Sequence, residues 1–220
     1  NLRVLKLEGN NISEFDQGRM GELHALQTIN LRGNKIETFP QVFMTMKLKE
    51  IDLQHNMNAF NDDDIDVWKS ESHVKLARTF VEPIEIVEGL FLGNAQTAQN
   101  SHYLKKLGVS HILTVASGLP PVFPKKFKYK IVDVQDTDDD NLEAHFEECI
   151  QFIQGAIDAR EGILVHCRAG VSRSASIVIA YVMKTKKMGV QEAMDFVKEK
   201  RNQICPNQSF IKQLENFAKK

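Results

Sequence analysis

The chain has 220 residues, of which 42% are hydrophobic and 26% charged, and its net charge is -1. That composition is ordinary for a globular protein and leaves room for one large domain or two small ones; the near-neutral charge argues against general nucleic-acid or membrane-surface binding, which needs a basic excess. No apolar run approaches the ~20 residues that cross a bilayer, and three cysteines do not make a disulfide framework, so a reducing compartment is expected: the cytoplasm, with the nucleus also open.

The first elements are repeats. "LRVLKLEGNNI" (Leu2 to Ile12) and "LQTINLRGNKI" (Leu26 to Ile36) both fit L-x-x-L-x-L-x-x-N-x-[LI], and "LKEIDLQHNMN" (Leu48 to Asn58) fits until its last position. This is the leucine-rich-repeat pattern. Each unit predicts a short strand whose inward pair is Leu5 and Leu7, Ile29 and Leu31, or Ile51 and Leu53. Asn10, Asn34 and Asn56 are expected to turn the chain by bonding backbone groups inside the bend. Lys6, Glu8, Asn30, Arg32, Asp52 and Gln54 then face out of the strand layer. In such repeats that layer is the concave face, a solvated polar surface or a place for a protein partner. The chain opens inside the first repeat, so it reads as part of a longer protein.

Residues 61–82 are expected to form a junction or cap between the repeats at 1–60 and a second domain at 83–220. "NDDDIDVW" is acidic, with Trp68 as a packed capping residue, and "KSESHVKLARTF" fits a short helix. From Pro83 the pattern changes. "IEIVEGLFLGN" reads as two strands turning at Glu88-Gly89, "AQNSHYLKKLG" as a helix ending at Gly108, and "HILTVA" as a buried strand. In "FKYKIVDV", Phe127, Tyr129 and Ile131 alternate with Lys126, Lys128 and Lys130, which predicts a strand with one wet face and explains the lysines without a nucleic-acid patch. Leu142, Phe146, Cys149, Ile150, Ile153 and Ile157 share one face of the next helix. "GILVHC" is wholly apolar, as a strand in the middle of a sheet is. Helices follow at about 173–186, 190–200 and 208–219. Strands alternating with helices give an α/β domain, here a central mixed sheet flanked by helices and preceded by a short repeat solenoid.

Between the strand at 162–165 and the helix from Arg173 lies "CRAGVSR". Ligands of open α/β sheets bind beyond the carboxyl ends of strands. A loop entering a helix aims unpaired N–H groups outward, with partial positive charge from the helix dipole. Small residues at Ala169, Gly170 and Ser172 let the backbone wrap a ligand closely. Residues 168–172 therefore predict an anion cradle of phosphate size, in which Arg168, Ala169, Gly170, Val171 and Ser172 contribute backbone and Arg173 grips two phosphate oxygens. Cys167 would sit at its floor. The N–H groups and Arg173 would hold its sulfur ionised at neutral pH, with the Ser174 hydroxyl donating to it. Nucleophile, cradle and arginine clamp specify phosphoryl transfer through a phosphocysteine, with no metal or cofactor required.

"HCRAGVSRS" (His166 to Ser174) matches the H-C-x-x-G-x-x-R-[ST] signature of cysteine-based protein phosphatases, and its continuation "ASIVIAYVM" resembles their dual-specificity branch. "EGLFLGN" and "CPNQSFIKQLENF" are similar to the same branch, so the resemblance covers roughly 83–220. It implies hydrolysis of phosphotyrosine and of phosphoserine or phosphothreonine in a phosphoprotein. An alkoxide leaving group needs a carboxylic acid to protonate it. Asp133, Asp136, Asp138, Asp139 and Asp140 are candidates, and spacing does not choose among them. In the family the acid lies five residues before an Asn-Leu pair that opens a helix; Asn141-Leu142 stands there, so the resemblance implies Asp136. Asp139 and Asp140 read as helix-capping residues and Asp138 as loop surface. This acidity beside the cleft is expected to disfavour polyanionic lipids or RNA ends.

His166 reads as structural support for the loop. Arg168 is left open between substrate and solvent. His145 and Cys149 have metal-ligand spacing, but Cys149 belongs to the apolar face and no further ligand converges. Cys205, beside Pro206, is expected to be a packed loop thiol. Either spare cysteine is a candidate partner for an oxidised Cys167.

Overall fold

The computed structural model describes residues 1–36, 39–56, 74–77 and 81–219. Within it the chain divides into two compact units, Asn1–Phe80 and Val81–Lys220. The acidic run with Trp68, and most of the expected junction, lie outside the described residues.

In the first unit, strands β1 (Val4–Lys6), β2 (Thr28–Asn30), β3 (Glu50–Asp52) and β4 (Lys75–Ala77) form one parallel sheet in chain order. Helix α1 (Gln17–Gly21) starts where the Asp16 carboxylate accepts from the Arg19 N–H. The expected inward pairs Ile29 with Leu31 and Ile51 with Leu53 are fully buried, against Leu26 and Phe43. The asparagines form a ladder. The Asn34 amide donates to the carbonyls of Leu7 and Leu31 and accepts from the Ile12 N–H. Asn56 repeats the pattern one repeat on, with Leu31, Leu53 and Ile36. Each amide thus satisfies backbone groups that a sharp bend leaves without strand partners. One expectation fails. The segment read as a short helix contains β4, whose Leu76 is in register with Ile51 of β3. Val74 is buried and Leu76 packs against the same core, so period-two burial, not a helical face, decides this stretch.

The second unit holds a mixed five-stranded sheet in the order β5-β6-β9-β7-β8. β5 (Ile84–Val87) and β6 (Leu90–Gly93) form an antiparallel hairpin at Glu88-Gly89. β9 (Gly162–His166) lies between β6 and β7 (Val109–Val115), parallel to both, and β8 (Lys128–Val132) closes the edge beside β7. Side chains of β9 alternate between two cores. Leu164 joins Phe91, Leu104, Ile112 and Phe127 on the face covered by α2 (Ser101–Lys106). Ile163 and Val165 join the opposite core with α3 (Phe146–Asp158), α4 (Arg173–Lys186), α5 (Val190–Lys200) and α6 (Gln208–Phe217). Every residue of β9, and every residue from Arg173 to Met183 of α4, is buried. The strand and the helix on either side of the signature turn are therefore set in the centre of the larger core.

The wet-face reading of β8 needs correction. Phe127 is buried and Tyr129 is partly covered, but Ile131 on the same face is 44% exposed, while Val132 and Val134 are buried in the other core. Lys130 reaches Glu148 at 2.8 Å and Lys128 reaches Glu161 at 3.5 Å. An edge strand crossing from one core to the other leaves period two incomplete on both faces.

Candidate active site

β9 delivers His166 and Cys167 to the carboxyl edge of the sheet, and α4 begins at Arg173. The five residues from Arg168 to Ser172 must reverse direction in little space. Gly170 takes φ +69°, and a Cβ there would lie 2.4 Å from the Gly93 carbonyl oxygen, so only glycine fits. The loop closes over the sulfur. Gly170 N–H donates to Cys167 Sγ at 3.1 Å, and the Ser174 hydroxyl donates to the same atom at 3.1 Å.

The outer side of the loop is tied down. The Ala95 N–H donates to the Arg168 carbonyl at 3.2 Å and the Cys205 N–H to the Val171 carbonyl at 2.9 Å. In a trans peptide the C=O and the following N–H point to opposite sides. Holding those two carbonyls outward turns the N–H groups of Ala169 and Ser172 the other way, as an anion cradle requires.

Arg173 is nearly buried. Its Nη1 donates to the Val134 carbonyl at 3.1 Å, and its Nε stands 3.4 Å from Asp136 Oδ2. A guanidinium fixed at one corner keeps its remaining donors oriented. Asp136 comes from the loop after β8. Its Oδ1 accepts from the Ser172 hydroxyl at 2.6 Å and from the Asn207 amide at 3.0 Å. Asp136, Arg168 and Arg173 line one open pocket with Ser117, Gln135 and Thr137; Arg168 is exposed at its rim.

The neighbouring acids do other things. Asp140 was expected to cap the helix; instead it accepts from Thr137 Oγ1 at 2.5 Å and from the Gln135 N–H at 3.1 Å, which holds its carboxyl below the usual range. It braces the loop that carries Asp136. The capping is done by Asn141, whose Oδ1 accepts from the Ala144 N–H. Asp138 is exposed, and its carbonyl accepts from Ser209 Oγ.

His166 is buried, and burial lowers its pKa to about 4, so the ring is neutral. Nδ1 faces the Cys167 carbonyl and Nε2 the Thr114 hydroxyl. A carbonyl only accepts, so the proton is on Nδ1 and Thr114 donates to Nε2. His145 bonds Glu148 at 2.7 Å, while Cys149 sits in the core with its thiol pushed up to about 12 by burial. Cys205 is exposed, not packed: its backbone, not its sulfur, serves the loop.

The family model for the dual specificity phosphatase catalytic domain matches residues 90–220. The chain belongs to the dual specificity phosphatase family. The leucine-rich-repeat model matches residues 1–57. Dual specificity protein phosphatase 1B of Arabidopsis thaliana is 45% identical over 135 residues, covering 61% of this chain and 81% of that protein. MAP kinase phosphatase with leucine-rich repeats protein 3 of Dictyostelium discoideum is 39% identical over 174 residues; they cover 79% of this chain and only 20% of that relative. Among solved structures, a human tyrosine phosphatase-like serine/threonine/tyrosine-interacting protein aligns with TM-score 0.60 and 35% identity over 61% of this chain and 94% of that one. A leucine rich repeat and phosphatase domain containing protein from Entamoeba histolytica aligns with TM-score 0.57 and 26% identity over 63% of this chain and 91% of that one.

Three residues of this dual specificity phosphatase site went unmarked in the sequence reading. Ser117 follows the end of β7, and Asn207 caps α6 through the Phe210 N–H while its amide reaches Asp136. Arg201 donates from Nε to the Gly170 carbonyl at 3.1 Å. The family-like stretch "CPNQSF" carries a signal for Asn207; nothing in spacing marks the other two.

Proposed function

We propose that the protein hydrolyses phosphotyrosine and phosphoserine or phosphothreonine in phosphoproteins, with Cys167 as nucleophile. The observation that carries this reading is the sulfur with two donors at 3.1 Å, Gly170 N–H and Ser174 Oγ, at the floor of a loop entering a buried helix.

In the first step Cys167 Sγ attacks phosphorus, the S–P bond forms and the P–O ester bond breaks. The departing oxygen takes the proton of Asp136, whose place at the pocket rim suits a general acid. Arg173 and the amides of 168–172 hold the non-bridging oxygens as charge spreads over them. In the second step the Asp136 carboxylate takes a proton from water, the water oxygen attacks phosphorus, and the S–P bond breaks. Inorganic phosphate leaves, and Ser174 receives the restored thiolate. Arg168, exposed at the rim, serves the substrate outside the cradle.

The strand layer of the repeats is proposed as the surface for a protein partner. There Arg32 Nη1 donates to Gln54 Oε1 at 3.0 Å, which holds a charged group ready on an open face.

Turnover of phosphotyrosyl and phosphothreonyl peptides by the whole chain tests the catalytic reading, together with trapping of a phosphocysteine by rapid acid quench. Release of phosphate that persists in Cys167→Ser would overturn it.

A further inference from the structure

We propose that Arg201 is a positioning residue for the phosphate-binding loop: it fixes the peptide between Gly170 and Val171 so that the Val171 N–H faces the anion. The inference deepens the proposed phosphatase reading and rests on it.

Arg201 is 5% exposed at the C-terminal end of α5. A buried guanidinium is costly unless something of opposite charge or strong polarity meets it. Among the described residues no carboxylate pairs with Arg201. Its Nε donates to the Gly170 carbonyl at 3.1 Å, and its Nη2 is buried with no hydrogen-bond partner. That Nη2 would lie 2.9 Å from a Cβ on Gly170, so the arginine packs directly against the back of the loop. The Cys167 sulfur lies on the inner side of the same turn, where Gly170 N–H contacts it at 3.1 Å. Burial pulls the Arg201 pKa down, and the charge of Cys167 acts in the opposite direction.

Peptide planarity turns this contact into function. A Gly170 carbonyl pinned from behind sends the Val171 N–H to the other side. The Arg168 and Val171 carbonyls are pinned the same way by the Ala95 and Cys205 N–H groups. Three amides, those of Ala169, Val171 and Ser172, are thereby aimed from outside the loop by two segments, one at Ala95 and one running from Arg201 to Cys205. Arg201 is the charged member of that set, so it also adds positive field behind the sulfur.

The test compares wild type, Arg201→Met and Arg201→Lys. Inorganic phosphate is titrated as a competitive inhibitor, and alkylation of Cys167 by iodoacetate is followed against pH, with thermal melting as the folding check. Arg201→Met is expected to weaken phosphate inhibition on the order of 10–100-fold and to move the alkylation midpoint to higher pH. Arg201→Lys, which keeps the charge but not the Nε geometry, is expected to restore much of the alkylation profile and little of the phosphate affinity. A folded Arg201→Met with phosphate inhibition and alkylation profile unchanged overturns the proposal. If that variant does not fold, Arg201→Lys decides, and phosphate inhibition equal to wild type overturns it. Failure of wild type to turn over phosphopeptides would sink the catalytic reading separately, since phosphate binding and alkylation do not require turnover.

Discussion

The Ser172 hydroxyl donates to Asp136 Oδ1 at 2.6 Å, joining residues 36 apart in the chain. The same hydroxyl oxygen accepts from the Asn207 N–H at 3.2 Å, and the Asn207 amide donates to the same carboxylate oxygen. The proposed acid is therefore tied at once to the phosphate loop and to the cap of α6. In the proposed mechanism Ser172 has two roles, a backbone N–H turned to the anion and a side chain that sets the acid.

Ser172→Ala removes only the second role. The loss in kcat is expected to be on the order of 10-fold for alkyl phosphates, the scale of a hydrogen bond to a charged group. It should be smaller for aryl phosphates whose alcohol leaves easily. Steady-state kinetics on the two ester classes check this, and equal losses would mean that Ser172 acts through the cradle instead.

Asp136→Ala is expected to cost on the order of 10²–10⁴-fold with alkyl phosphates, again with the penalty shrinking as the leaving group improves. A leaving-group series at constant pH gives the slope. A slope equal to that of wild type would remove Asp136 from the role of acid.

Gly170→Ala places a methyl against the Gly93 carbonyl at a positive φ. Both effects act together, so stability should fall by more than about 1 kcal/mol and phosphate inhibition should be lost. Urea unfolding and inhibitor titration measure the two separately.

His166 gives a pH dependence of stability. Its folded pKa of about 4 lies below the ordinary 6.5. The unfolded chain takes up a proton that the folded protein refuses, so stability is intact above pH 6.5 and declines as pH falls toward 4. The full effect is about 3 kcal/mol. Urea unfolding at about pH 7.5 and about pH 4.5 should show a smaller acid loss in His166→Gln than in wild type; equal losses would assign the effect to other groups.

Thiol reactivity should divide the two spare cysteines. Cys149, buried with its thiol pushed up to about 12, is expected to resist iodoacetamide at neutral pH, and exposed Cys205 to react. Peptide mapping after alkylation reads both, and modification of Cys149 in the folded protein would contradict its burial.

The local code of this chain was written plainly. The asparagine at a fixed place in each repeat, the apolar run of β9, the small residues of 168–172 and the periodic face of α3 each follow from neighbours in sequence, because strand period, helix period and turn chemistry are local properties. The proposed nucleophile, cradle and clamp were legible for the same reason: they occupy one strand-turn-helix. What closes the site is not local. Ser172 meets Asp136 across the sheet, Asn207 reaches both from the cap of α6, and Arg201 braces Gly170 from the end of α5. Spacing also misread Lys75–Ala77 as helix and Asp140 as a cap, since a three-residue strand exists only through the partner it pairs with and a carboxylate bonds whichever donor the fold brings near. Sequence pointed to the groups proposed to do the chemistry; tertiary packing decided how they are aimed, because aiming depends on hydrogen bonds between segments that meet only when the core has formed.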